Sequence, residues 1–186
     1  MNNLFKKHLR TLKLISVDNH NPSDVEYMTE SEYVAIDFDA VKDDYVMRLD
    51  TYVNPKSIDA LVFHENHATM IEFKNGIVDK ALINSIIDKM LNSVIMYTDI
   101  TGETIAHSRE NVDFILVYNY EKNPFNIKEY RQNRYRDAFV RKLSDKAKER
   151  YTQFGLARYE GYIFRHVYTY SKRDFKNEFT DKLEDQ

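Results

Sequence analysis

Between Ser57 and Lys74 the chain carries three side chains whose types and spacing suit metal-assisted hydrolysis: Asp59, Glu72 and Lys74. Successive side chains of a strand alternate between its faces, so in a strand over 69–74 Glu72 and Lys74 share a side with Met70, while Ile71 and Phe73 point into the core. The run 58–63 reads as the preceding strand of a hairpin. Whether the connection is a two-residue Glu65-Asn66 turn or a four-residue loop from His64 to His67, paired residue numbers sum to 131 and Asp59 stands opposite Glu72. Directly opposed antiparallel residues have Cβ atoms roughly 4.5–5.5 Å apart, close enough for two carboxylates to share one hard cation. Two such charges among Ile, Phe, Leu and Val repel each other and lose hydration unless a positive charge stands between them. A metal ion and Lys74 are the candidates. Mg²⁺, with Mn²⁺ able to serve in its place, takes oxygen ligands, binds through one or two carboxylates and completes its shell with water and substrate phosphate. Such an ion acidifies a bound water and neutralises charge developing on a phosphate.

The elements that must position these residues follow from periodicity. Residues 2–15 place Leu4, Phe5, Leu9, Leu12 and Ile15 near helical spacing, and Asp18 to Ser23 reads as a loop. A capping box from Thr29 to Glu32, followed by Val34, Phe38, Val41 and Tyr45, predicts a helix from about Glu30 to Asp44, although Tyr33 to Ala40 also passes for a strand. Val46 to Val53 reads as a strand closed by the turn Asn54-Pro55-Lys56-Ser57, and the hairpin strands come next. Ile83, Ile86, Ile87, Met90, Leu91, Val94 and Ile95 mark the buried stripe of a helix over roughly 79–97. After a polar loop from Thr98 to Asn111, the near-continuous apolar run 112–120 predicts a strand buried on both faces and paired in parallel. A basic helix over 128–150, a strand from Tyr162 to Tyr170 and a final helix capped by Ser171 and Asp174 complete the order ααβββαβαβα, an α/β sandwich around a mixed sheet.

The segments Ile58-Asp59-Ala60-Leu61-Val62-Phe63 and Met70-Ile71-Glu72-Phe73-Lys74, followed by a helix and a buried strand, resemble the PD-(D/E)XK nuclease superfamily over about residues 30–120. The resemblance implies a restriction-endonuclease-like αβββαβ core, Mg²⁺ held by Asp59 and Glu72, and Lys74 serving the attacking water. It also implies a further acid from the helix before the first strand, which falls on Glu32 with Glu30 and Glu26 as rivals. The proline that can immediately precede the Asp in this superfamily is here Pro55, four residues earlier.

Glu-x-Lys alone is common, and a solvated ion-pair cluster on an exposed sheet face is the competing reading of the same three residues. His64 and His67 flank the predicted turn and lack further ligands at metal-site spacing, so exposed turn histidines describe them better. Asn84 and Asp88 lie on the polar face of the helix that follows the motif.

A chain of 186 residues with 42% hydrophobic and 31% charged residues suits a single domain (1–186), with a core over about 30–120 and a basic extension over 128–184. The absence of cysteine excludes thiol catalysis, zinc–thiolate sites and disulfides, and with no signal-peptide pattern at the N-terminus the expected setting is reducing and cytoplasmic. The most apolar window, Ala81 to Met96, is interrupted too often by polar residues to span a membrane. The net charge of −3 hides an asymmetry: residues 1–121 hold 11 basic and 20 acidic side chains, and residues 122–176 hold 15 basic and 6 acidic. That polarity suits a divalent cation in one region and a phosphodiester backbone in the other, although helix 128–150 could equally present a solvated basic face. Arg131, Arg134, Arg136, Arg141 and Lys142, interleaved with Tyr130 and Tyr135, would supply phosphate contacts and stacking. The expected function is Mg²⁺-dependent hydrolysis of nucleic acid, DNA before RNA. The alternative is a nuclease-fold binding module that does not cut. Nucleases of this type often cut two strands as homodimers, but no segment here reads as a dimer seam.

Overall fold

A computed structural model describes residues 2–18, 25–50, 52–64, 67–124 and 152–184. Its centre is a six-stranded mixed sheet flanked by helices. In chain order its strands are β1 (Leu9–Thr11), β4 (Val34–Asp37), β5 (Ala60–His64), β6 (His67–Lys74), β7 (Val112–Tyr118) and β8 (His166–Ser171), and they lie side by side in that same order. Pairing is antiparallel from β1 through β6, then parallel from β6 to β7 and from β7 to β8. A two-stranded ribbon of β2 (Val17–Asp18) and β3 (Glu26–Tyr27) stands apart. Every residue of β7 is buried, as its unbroken apolar run predicts for a parallel strand covered on both faces.

Strand parity divides the core into two layers. Ile36, Leu61, Met70, Phe114 and Leu116 face α3 (Phe38–Leu49) and α4 (Lys80–Thr101), where they pack with Phe38, Ile86, Met90 and Val94. Ala35, Val62, Ile71, Phe73, Ile115 and Val117 face the opposite way, onto Phe175 and Leu183 of the C-terminal helical run. That run joins α6 (Lys172–Phe175), a π turn (Lys176–Thr180) and α7 (Asp181–Glu184). Full burial of each large apolar side chain is worth about 1.5–3 kcal/mol.

The N-terminal half departs from its periodicity. No helix runs over 2–15: α1 (Asn3–Lys6) and α2 (Leu12–Ile15) are single turns separated by β1, which pairs with β4. The helix expected from Glu30 begins only at Phe38, because the Asp37 carboxylate caps it by accepting from Ala40 N–H, and the residues before it are strand β4. The strand expected over Val46 to Val53 is corrected too. Val46 to Leu49 are the last turns of α3, which Asp50 ends in a left-handed conformation at φ 50°. Four antiparallel strands of the main sheet therefore precede α4, namely β1, β4, β5 and β6, with α3 inserted between β4 and β5. Residues 98–111 are not a loop. α4 runs to Thr101, stopped by Gly102 at φ 75°, and α5 (Ile105–Asn111) follows with Thr104 as its cap.

At the outer edge of β8 the backbone of Val167 is satisfied by side chains. Its N–H donates to Glu160 at 3.0 Å, and its carbonyl accepts from the Thr152 hydroxyl at 2.8 Å. Among the described residues no helix is long and apolar enough to cross a membrane.

Candidate functional site

The hairpin that carries the motif has the register its loop length dictates. The pairs run from His64 opposite His67 to Ala60 opposite Ile71, and all sum to 131. Asp59 lies one residue before the start of β5 but stays tied to the sheet. Its N–H donates to the Ile71 carbonyl at 3.1 Å, its own carbonyl accepts from Phe38 N–H at 3.0 Å, and its Oδ2 accepts from Phe73 N–H at 2.6 Å. A side-chain oxygen thus replaces a strand carbonyl at the point where the two chains separate, and the Asp59 carboxylate is fixed against β6.

Asp59, Leu61 and Phe63 share the face of Met70, Glu72 and Lys74, and this face lies beneath α4. Glu72 is completely buried. Lys74 Nζ stands 2.5 Å from its Oε1. A second ammonium comes from α4: Lys89 Nζ lies 3.1 Å from Asp59 Oδ1, 2.8 Å from Glu72 Oε1 and 3.0 Å from Glu72 Oε2. One cation therefore bridges the two carboxylates. Both ammoniums converge on Glu72 Oε1.

Lys89 reaches this position because α4 carries a polar stripe at intervals of four residues, Ser85, Lys89 and Ser93, inside an otherwise apolar face. Each member engages the segment leading into β5. Lys56 Nζ donates to Ser85 Oγ at 3.1 Å, Lys89 holds Asp59, and the buried Ser93 hydroxyl accepts from Ile58 N–H at 2.9 Å. α3 contributes Asp39 from its first turn, bonded to the Ser57 hydroxyl.

Burial pushes the Glu72 carboxyl up to about 7, helped by the charge of Asp59 and opposed by Lys74 and Lys89. Burial pulls Lys89 down, but Glu72 and Asp59 outweigh it and the net shift is upward. Asp39 is also raised by burial, against its bond from Ser57, and is raised further by Asp59. Burial is thus the main reason that Glu72 and Asp39 resist ionisation, while the carboxylates beside Lys89 hold its amine charged.

The donor set suits a hard divalent ion. It offers carboxylate oxygens of Asp59 and Glu72 turned toward one shared point, now taken by the Lys89 ammonium. No group of three or more His, Cys, Asp or Glu side chains converges among the described residues, so an ion here would rest on Asp59 and Glu72.

Other expected residues lie elsewhere. Glu32 is exposed and sits 4.0 Å from Lys13, Glu30 is 2.7 Å from the same amine, and Glu26 pairs with Lys172. None joins Asp59 and Glu72, because the helix that would have carried Glu30 and Glu32 there is replaced by β4. The acid from the preceding helix that senses Asp59 is Asp39. His64 bonds Thr69 and His67 contacts Arg165, both half-buried at the turn end of the hairpin rather than exposed, and Asn84 is exposed. Asp88 receives Lys56 at 3.4 Å. Arg131, Arg134, Arg136, Arg141 and Lys142 fall outside the described residues. Sequence reasoning missed Lys89, Ser93 and Asp39. The available signal was the four-residue spacing of Ser85, Lys89 and Ser93, which interrupts an apolar stripe at positions where a solvated face would not be. No family model matches the sequence, and no curated protein and no solved structure matches it.

Proposed function

We propose that this protein hydrolyses phosphodiester bonds of nucleic acid, DNA in the first instance, with Mg²⁺ held by Asp59 and Glu72 on a restriction-endonuclease-like core formed by β4, β5, β6, α4 and β7. One observation carries the reading: a fully buried Glu72 shares a face, and a bridging cation, with Asp59. Desolvating a carboxylate is costly, and a structural ion pair gains little from doing so. A buried Glu72 joined to the partly buried Asp59 beside Lys74 is better accounted for by chemistry than by stability.

When bound, the metal would acidify a water and stabilise charge building on the phosphate. The chain's own part is positional. Asp59 is locked by Phe73 N–H so that one oxygen stays aimed at the shared site. Glu72 is kept from bulk water, which strengthens its hold on any cation. Lys74, two residues along the same strand face, supplies an ammonium to orient the attacking water or steady the transition state. The basic stretch 122–176 offers charge for the phosphate backbone, and the cysteine-free composition fits a cytoplasmic setting.

A second reading is a nuclease-fold binding module that does not cut. It is favoured by Lys89, which together with Lys74 already balances the two carboxylates without a metal. Titrating Mg²⁺ and Mn²⁺ against the wild type, Glu72→Gln and Lys74→Ala, on plasmid and single-stranded DNA, separates the two. Hydrolysis predicts metal-dependent cleavage reduced roughly 100-fold or more in either variant. No cleavage of either substrate, with nucleic-acid binding intact, selects the binding module.

A further inference from the structure

We propose that Lys89 is a built-in competitor for the divalent cation, its ammonium holding the position between Asp59 and Glu72 that the metal must take, so that loading the site is an exchange of one cation for another. This rests on the metal-dependent reading above and adds to it a residue and a condition for occupancy.

The amine lies within 3.1 Å of Asp59 Oδ1 and 2.8 Å of Glu72 Oε1, the two groups that would have to be shared. A divalent ion bonding oxygens of both carboxylates would sit against that ammonium, and like charges so close in a buried setting exclude each other. Glu72 does not depend on Lys89 for a counter-ion, because Lys74 stands 2.5 Å from Oε1. The feature specific to Lys89 is the bridge. A lysine is also a suitable group to yield, with a compact charge on a flexible four-carbon stem anchored at one end in α4.

The test is Mn²⁺ binding, followed by calorimetry and by loss of the free-ion paramagnetic resonance signal, for the wild type, Lys89→Met and Lys89→Gln, each with and without Glu72→Gln. Exchange predicts at least tenfold tighter binding in Lys89→Met, a smaller gain in Lys89→Gln, and loss of binding whenever Glu72→Gln is present. Equal or weaker binding in both Lys89 variants, still lost with Glu72→Gln, overturns the exchange and leaves the metal reading standing. No binding by any of them overturns both. A measurement on the unsubstituted protein guards against variants that fail to fold: trace reductive methylation, quantified by peptide mass spectrometry. Saturating Mn²⁺ should raise labelling of Lys89 several-fold and leave Lys56 unchanged. Labelling of Lys89 that ignores the metal overturns the exchange.

Discussion

A carboxyl group sealed beneath α4 must settle its charge with its neighbours alone, and Glu72 does so with two ammoniums and a second acid. Its folded-state pKa of about 7 stands above the ordinary 4.5, so the folded protein holds this proton where the unfolded chain has released it. The stabilisation is fully present below about pH 4.5 and is lost as pH rises through about 7. A shift of this size corresponds to ~3 kcal/mol. In metal-free buffer, the unfolding free energy of the wild type should therefore fall relative to that of Glu72→Gln by ~3 kcal/mol between pH 4 and pH 8. Denaturant titrations of the two proteins at several pH values measure this. A difference that stays flat would mean that water reaches the carboxyl. That Glu72 and Lys74 share a strand face was legible in the sequence because strand alternation leaves little freedom, whereas Asp59 stands just outside the paired register and meets Glu72 through Lys89. Lys89 was not, because a lysine in a long helix ordinarily points to water, and only the fold turns this one inward.

Elements set the precision of the site. The segment entering β5 has no regular structure of its own from Pro55 to Ser57, and α4 holds it through Ser85, Lys89 and Ser93. Ser93 is the most exacting of the three, because the Ile58 N–H it accepts is fully buried. Ser93→Ala would leave that donor unsatisfied and should destabilise the fold by about 1–3 kcal/mol, read from the urea midpoint. Ser93→Thr, which keeps a hydroxyl, should recover part of the loss. A midpoint for Ser93→Ala equal to that of the wild type would show that the N–H finds another acceptor. The hairpin and α4 were legible because each has one dominant period. β4 and α3 were not, because β4 is buried on both faces at Ala35 and Ile36 and so lacks alternation, and because the start of α3 depends on one aspartate cap rather than on an apolar stripe.

At the scale of the whole molecule, the sheet changes character at β6, which is antiparallel to β5 on one side and parallel to β7 on the other. Arg165 fastens the parallel half at its start, gripping both oxygens of Asp113 at 2.9 and 2.7 Å and reaching His67 at 2.7 Å. These contacts join the first residues of β6 and β7 to the residue just before β8, and no sequence period encodes them. The parallel assignment of β7 could be read in advance because only strands covered on both faces are so uniformly apolar. A sheet of this kind also has a terminal strand whose outward backbone groups invite another chain. At Val167 that invitation is withdrawn, since Glu160 and Thr152 occupy the donor and the acceptor that an incoming strand would need. Among the described residues, these two side chains fill the outward ladder positions of Val167. Removing both, in Thr152→Ala with Glu160→Ala, should leave the protein folded but raise its concentration-dependent light scattering and thioflavin response well above those of the wild type. Unchanged scattering at high concentration would place the protection elsewhere.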